Sequence, residues 1–128
     1  MNREILFRGK DVRGNWHVGL LAHIGNAWYI SNKAGIATAY EVRPETVSQF
    51  TGLTDKNGKQ IFEGDIIHFQ GVSWSGCEEV FWCKSEFQWR LRNRHFSGGS
   101  RPLEHDDKEW GEVVGNIHDN PELMEASV

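Results

Sequence analysis

The chain has 128 residues, 38% of them hydrophobic and 25% charged, with 14 glycines and 3 prolines, a composition that suits one compact domain or two small subdomains and excludes a disordered tail. Fifteen aromatics, six of them Trp, supply a core, and a net charge of −4 excludes a surface that serves as a whole as a duplex-DNA platform, because phosphate neutralisation needs a basic one. No apolar run reaches membrane length, and the opening Met1-Asn2-Arg3-Glu4 leads into too short an apolar stretch for a signal peptide, so the expectation is a soluble, cytoplasmic protein with no membrane partner.

In chain order, apolar residues alternate with polar ones or come in short runs broken by Gly, Asn and Ser, which is the period of strands. The alternation predicts nine, over residues 3–8, 15–22, 27–31, 36–43, 46–50, 66–70, 79–84, 87–94 and 112–118. Turn chemistry separates them: Gly14 lies in the 11–15 connector, Gly25-Asn26 tolerates positive φ, and Asp55-Lys56-Asn57-Gly58 carries the Asn-Gly pair that type I′ hairpins prefer. Residues 97–111 read as a long loop, with a flexible Ser97-Gly98-Gly99-Ser100 start and a charged 104–109 stretch. After the last strand, Asp119 or Asn120 caps a short helix with Pro121 at its first position. The fold class is therefore mainly β, a small antiparallel barrel architecture with a short C-terminal helix. The chain divides into an N-terminal β subdomain, residues 1–50, and a C-terminal barrel with its tail, residues 51–128, together one compact unit.

Charge is unevenly placed. Residues 1–50 hold six basic and four acidic side chains, 51–100 hold six of each, and 101–128 hold two basic against eight acidic. The two cysteines, Cys77 and Cys83, have a spacing that fits neither a zinc ribbon nor a thioredoxin-type pair. They read as buried, reduced thiols.

The side chains that could carry chemistry do not assemble into a recognisable centre. His17 and His23 share a strand face but stand nearly 20 Å apart at ~3.3 Å per residue, too far to share an ion. His105-Asp106-Asp107 offers ligand types without a second cluster, so no metal site is assigned. There is no nucleophile elbow, no phosphate cradle and no dinucleotide fingerprint. Glu63 and Asp65 flank Gly64, where alternation puts both carboxylates on one face and solvent exposure is the ordinary outcome. No catalytic residue, cofactor or metal is read, and the protein is expected not to be an enzyme.

The strongest local signal is the stretch 87–96, where alternation sends Phe87, Trp89 and Leu91 to one side and Arg90, Arg92 and Arg94 to the other. Three guanidinium groups about 6 to 7 Å apart can meet phosphates or a partner's carboxylates in bidentate fashion. Cross-strand pairing with Glu78, Glu79 or Glu86 would instead absorb the row on a solvated face. Trp74 and Trp82, with Trp110 in the long loop, could add stacking surface for single-stranded nucleic acid or a protein partner, or could fill the barrel. The candidate partner-binding residues are therefore Arg90, Arg92, Arg94, Trp74 and Trp110.

The segment Gln49-Phe50-Thr51-Gly52-Leu53-Thr54-Asp55-Lys56-Asn57-Gly58-Lys59-Gln60-Ile61-Phe62-Glu63-Gly64-Asp65-Ile66-Ile67 resembles the hallmark of the YopX family, small proteins encoded mostly by bacteriophages, prophages and mobile elements. The opening Arg3-Glu4-Ile5-Leu6-Phe7-Arg8-Gly9 and the ending Glu112-Val113-Val114-Gly115-Asn116-Ile117-His118-Asp119-Asn120-Pro121-Glu122-Leu123 are similar to the family's two ends. The resemblance implies a mostly β protein whose C-terminal part is an SH3-like barrel, and it brings no activity and no catalytic residues. The motif reads as architecture: Asn57-Gly58 turns a hairpin, Leu53, Ile61 and Phe62 are core contacts, and Thr51 and Asp55 suit bonds to nearby backbone N–H groups. The resulting expectation is a non-enzymatic phage or prophage accessory protein of the bacterial cytoplasm that acts by binding another protein. The alternative is a nucleic-acid-binding module built on Arg90, Arg92 and Arg94, and homo-oligomerisation through an exposed strand edge fits either reading.

Overall fold

Short apolar stretches bounded by turn residues leave the backbone one economical way to satisfy its N–H and C=O groups, which is pairing between neighbouring strands. The computed structural model describes residues 4–31, 39–70, 75–93, 100–103 and 111–125. Eleven strands form among them: β1 (Phe7–Lys10), β2 (Trp16–Ile24), β3 (Ala27–Ser31), β4 (Ala39–Val42), β5 (Ser48–Thr54), β6 (Gln60–Phe62), β7 (Asp65–Gln70), β8 (Ser75–Cys83), β9 (Gln88–Arg92), β10 (Ser100–Pro102) and β11 (Gly111–Asn116). A single 3-10 turn (Pro44–Thr46) precedes β5, and a short helix α1 (Glu122–Glu125) follows β11. The chain forms two units, Met1–Gly52 and Leu53–Val128.

In the first unit the strand order is β4-β3-β2-β1-β5, all neighbours antiparallel. The sheet curls until the end of β4 meets β1: Arg43 N–H donates to the Lys10 carbonyl at 2.8 Å, and a Cβ on Gly9 would lie 2.8 Å from the Val42 Cβ. Only glycine permits that approach. Leu6, Ile30, Val42 and Phe50 are buried in this unit.

In the second unit β5 ends beside β6, and five further strands pair in the order β10-β9-β8-β7-β11. Ile61, Ile67, Phe69, Val80, Leu91 and Val113 form its core, with Leu53, Trp89 and Leu103 packed against them. Neither sheet closes into a barrel among the described residues, which corrects the closed architecture expected from strand spacing. The two ends of the second sheet satisfy their backbone differently. β10 is three residues long and finishes at Pro102, which has no N–H to offer. The outer groups of β11 are taken by the 55–59 turn, with Gly111 C=O accepting from Lys56 N–H at 3.0 Å and Val113 N–H donating to Asp55 Oδ2 at 2.9 Å.

Three local expectations change. The Asn57-Gly58 turn is not type I′, because Asn57 keeps a negative φ and only Gly58 crosses to +81°. It is a type I turn closed by Gly58 N–H to Asp55 C=O at 3.0 Å, with the glycine as a left-handed bulge. At the C-terminus the side chain of Asn120 turns back to accept from Asn116 N–H at 3.3 Å, and Asn116 Oδ1 accepts from His118 and Asp119 N–H. The side chain of Asn120 thus ties the helix approach to β11. It also lies where a Cβ on residue 115 would sit, which requires Gly115. Finally, Ser100 to Pro102 belongs to a strand rather than to the long loop. Gly111 likewise belongs to β11, and residues 97–99 and 104–110 of that loop lie outside the described residues.

Candidate functional site

The β8–β9 hairpin holds the side chains that the alternation of 87–96 singles out. Its register pairs Glu79 with Arg92, Val80 with Leu91, Phe81 with Arg90 and Trp82 with Trp89, so Val80, Trp82, Trp89 and Leu91 share one face while Phe81, Arg90 and Arg92 share the other. Leu91 and Val80 are fully buried. Trp82 and Trp89 pack edge to face at 5.1 Å between ring centres, and Trp82 stays 41% exposed at the end of this face.

The arginine face is occupied by its own neighbours. Arg90 Nε donates to Ser100 Oγ at 2.7 Å, Nη2 donates to the Ser100 carbonyl at 2.6 Å, and Nη1 donates to Gln88 Oε1. Each of its three nitrogens therefore has an acceptor within the hairpin and its β10 neighbour. Arg92 pairs with Glu79 at 3.3 Å while its guanidinium lies 4.2 Å over the Phe81 ring, and half of its side chain remains in solvent. Arg94, Trp74 and Trp110 lie outside the described residues, as do His105, Asp106 and Asp107. Glu78 does not meet the arginine row. It points to the buried face, fully enclosed, and takes Arg101 Nη2 at 2.8 Å with Arg101 lying 4.7 Å over Phe69. The sequence hid that pair because Glu78 and Glu79, adjacent in the chain, face opposite ways.

Phe87 departs most from expectation. Alternation places it with Trp89 and Leu91, yet it stands in the 84–87 turn, 82% exposed, at φ +52°. A bulky side chain in the left-handed region is strained. The turn between Cys83 and Gln88 holds four residues, 84–87, where strands over 79–84 and 87–94 leave two, and this carries Phe87 out of the strand. Cys83 beside the turn is free; its Sγ bonds Ser85 Oγ at 3.3 Å, and this bond is the main cause holding its thiol below the ordinary cysteine range. Cys77 is also free, and burial pushes its thiol up. Neither is fully buried, contrary to the sequence reading.

Two carboxylates of the 49–67 motif, Asp55 and Asp65, are structural. Asp55 is 4% exposed, and its Oδ1 accepts from Asn57 and Lys59 N–H, both at 2.9 Å. Asp65, expected in solvent, is 1% exposed, and its Oδ2 accepts from Phe62 N–H at 2.7 Å. Gly64 between Glu63 and Asp65 donates to Val80 C=O and accepts from Ile117 N–H, joining the motif to β8 and to the C-terminal turn. A residue set that spends its polar atoms on backbone groups this way holds a hairpin in place. Among the described residues no group of three or more His, Cys, Asp and Glu side chains is placed to hold a metal ion.

A family model described as YopX protein matches residues 21–125, from within β2 to the end of α1. The chain belongs to the YopX family. No curated protein matches it. Among solved structures, this YopX-family protein is similar to the crystal structure of protein EF1440 from Enterococcus faecalis, at 22% identity and a TM-score of 0.56, with 96% of this chain and 99% of that chain covered. At that identity the likeness speaks for the fold. No helix among the described residues of this YopX-family protein is long and apolar enough to cross a membrane.

Proposed function

We propose that this protein is a non-catalytic accessory protein of a phage or prophage, working in the bacterial cytoplasm without cofactor or metal by holding another protein on its surface. The observation that carries this reading is the tip of the β8–β9 hairpin. There Phe87 is exposed in a strained conformation next to the half-open Trp82–Trp89 pair. Exposed aromatics on a rigid hairpin are the side chains that anchor protein interfaces, and strain at an exposed position points to use rather than packing. The engagement of Arg90 by Ser100 and Gln88, and of Arg92 by Glu79, favours a protein over a nucleic acid, since phosphate binding draws on free guanidinium groups.

The second unit is read as an SH3-like barrel left open at its ends. Support comes from its single core, to which Leu53 of β5, Ile61 of β6 and residues of all five strands of the larger sheet or their immediate flanks contribute. This small scaffold presents its hairpins outward.

Affinity capture from the bacterial host, with and without nuclease, tests the reading. A protein retained in the nuclease-treated sample, and lost when Trp82 and Phe87 are both replaced by Ser, is the expected result. Retention that disappears with nuclease, or that is indifferent to the two substitutions, would overturn it.

A further inference from the structure

Of the eight asparagines in the chain, only Asn57 precedes a glycine. That order carries a chemistry of its own. With no side chain on residue 58 to hinder it, the glycine backbone nitrogen can reach Cγ of the Asn57 side chain. The N–Cγ bond forms, the Cγ–Nδ2 bond breaks, and ammonia leaves with the proton of the Gly58 N–H. Water then opens the five-membered imide at one of its two carbonyls, which yields either an aspartyl side chain or an isoaspartyl linkage that routes the main chain through Cγ. Water is the only co-reactant, and Asn57 and Gly58 are both exposed to it.

The 55–59 turn opposes the first step. Three consecutive backbone N–H groups converge on Asp55. Asn57 and Lys59 donate to Oδ1, both at 2.9 Å, and between them Gly58, the nucleophile, donates to the Asp55 carbonyl at 3.0 Å. The attacking nitrogen has to give up that bond before it can move. The type I form also holds ψ of Asn57 at about 0°, where the Gly58 nitrogen eclipses the nitrogen of Asn57 and not its Cβ. Asp55 N–H closes the turn on Lys59 C=O at 2.8 Å, and Asp55 Oδ2 holds Val113 N–H at 2.9 Å, so opening the turn also costs its tie to β11. The 11–15 turn makes the same local bonds with Arg13 and Gly14 at the matching positions. The turn geometry therefore does not call for an amide at position 57.

We propose that Asn57-Gly58 is a self-modification site that Asp55 keeps closed in the folded protein and that converts in molecules whose 55–59 turn has opened. The isoaspartyl product adds one main-chain atom ahead of the Gly58 nitrogen, which displaces its N–H from the Asp55 carbonyl. The aspartyl product sets a carboxylate where Asn57 Nδ2 now faces Glu112 Oε1 at 3.5 Å, and like charges at that range repel. Conversion thus loosens the turn that anchors Val113 and leaves a covalent record that the second unit has opened. The inference does not rest on the hairpin-tip interaction.

Peptide mapping of the intact protein by mass spectrometry, with the isoaspartyl and aspartyl products resolved by retention, follows conversion at position 57 at mildly alkaline pH in native buffer and in urea. Conversion is expected to be at least about tenfold slower in native buffer, because only the open fraction reacts. Hydrogen exchange at the Gly58 amide, which reads opening of the turn without any variant, is expected to be slowed to a similar degree. Asp55→Ala is expected to bring conversion in native buffer toward the urea rate. Asp55→Asn, which keeps an acceptor for the Asn57 and Lys59 N–H groups, is expected to bring it less far. Equal conversion in the two buffers, no conversion at position 57 in urea, or a Gly58 amide that exchanges at the unfolded rate would overturn the proposal. So would an Asp55→Ala protein with a native circular dichroism spectrum that converts no faster than the unaltered chain.

Discussion

Asp55 places three backbone N–H groups on two carboxylate oxygens at a position that is 4% exposed. Two of the donors belong to its own turn, and the third, Val113, lies 58 residues away on β11. A single side chain thus fixes a local turn and a long-range register together. Asp55→Ala leaves the Val113 N–H buried and unanswered, and is expected to lower stability by about 2–3 kcal/mol, or roughly 6–12 °C in Tm, by thermal denaturation. A shift within experimental scatter would show that water replaces the carboxylate without loss. Phe87 is the opposite case: its φ of +52° raises the energy of the folded state, and no enclosed contact offsets it at 82% exposure. Short polar residues suited to backbone bonding, such as Asp55, are visible in a sequence. The burial of Asp65 and the outward turn of Phe87 are not, because both follow from where a turn begins, a matter of one or two residues.

At the scale of elements, the same turn is built twice. In the 11–15 turn, Asp11 N–H donates to Asn15 C=O and Gly14 N–H to Asp11 C=O, while Asp11 Oδ1 accepts from Arg13 and Asn15 N–H. The 55–59 turn repeats each bond with Lys59, Gly58, Asn57 and Asp55. The free oxygens differ. Asp55 Oδ2 takes a backbone N–H, whereas Asp11 Oδ2 takes His17 Nε2 at 2.7 Å, and the His17 ring stacks on Tyr40 at 3.9 Å. The bond from His17, with those from the turn backbone, holds the Asp11 carboxyl down to about 2 from its ordinary 3.8. A carboxyl lowered in the folded state adds stability that is complete above about pH 4 and is lost as the pH falls toward about 2. Asp11→Asn is expected to remove that dependence. Its urea midpoint should fall less between pH 5 and pH 2.5 than that of the unaltered protein, and equal slopes would contradict the assignment. Alternation made the longer strands legible. It missed β6 and β10, each three residues long, because a period of two needs more positions than that to declare itself. The Asn-Gly pair was legible as a turn and misleading as to its type, since the Asp55 side chain selects the five-residue form.

At the scale of the molecule, two β units carry their polar motif residues inward and their distinctive apolar residues outward. In the family motif of 49–67, Asp55 and Asp65 spend their carboxylates on backbone, and Arg90 and Arg92 spend donors on Ser100, Gln88 and Glu79. The large apolar side chains left exposed include Trp82 and Phe87 on one unit and Val18, Leu20 and Ile24 of β2 on the other. Of the candidate site, the arginine–aromatic segregation within β9 was readable from alternation. The internal acceptors that occupy Arg90 were not, because Ser100 reaches it only through β10 pairing.

The most direct measurement is photo-crosslinking inside the bacterial host from a benzophenone side chain placed at Phe87, compared with one at the exposed Val12 of the first unit. A discrete protein adduct from position 87, absent from position 12 and insensitive to nuclease, is the predicted outcome. Equal labelling from both positions, or an adduct at 87 that nuclease removes, would contradict a protein-binding role for the hairpin tip.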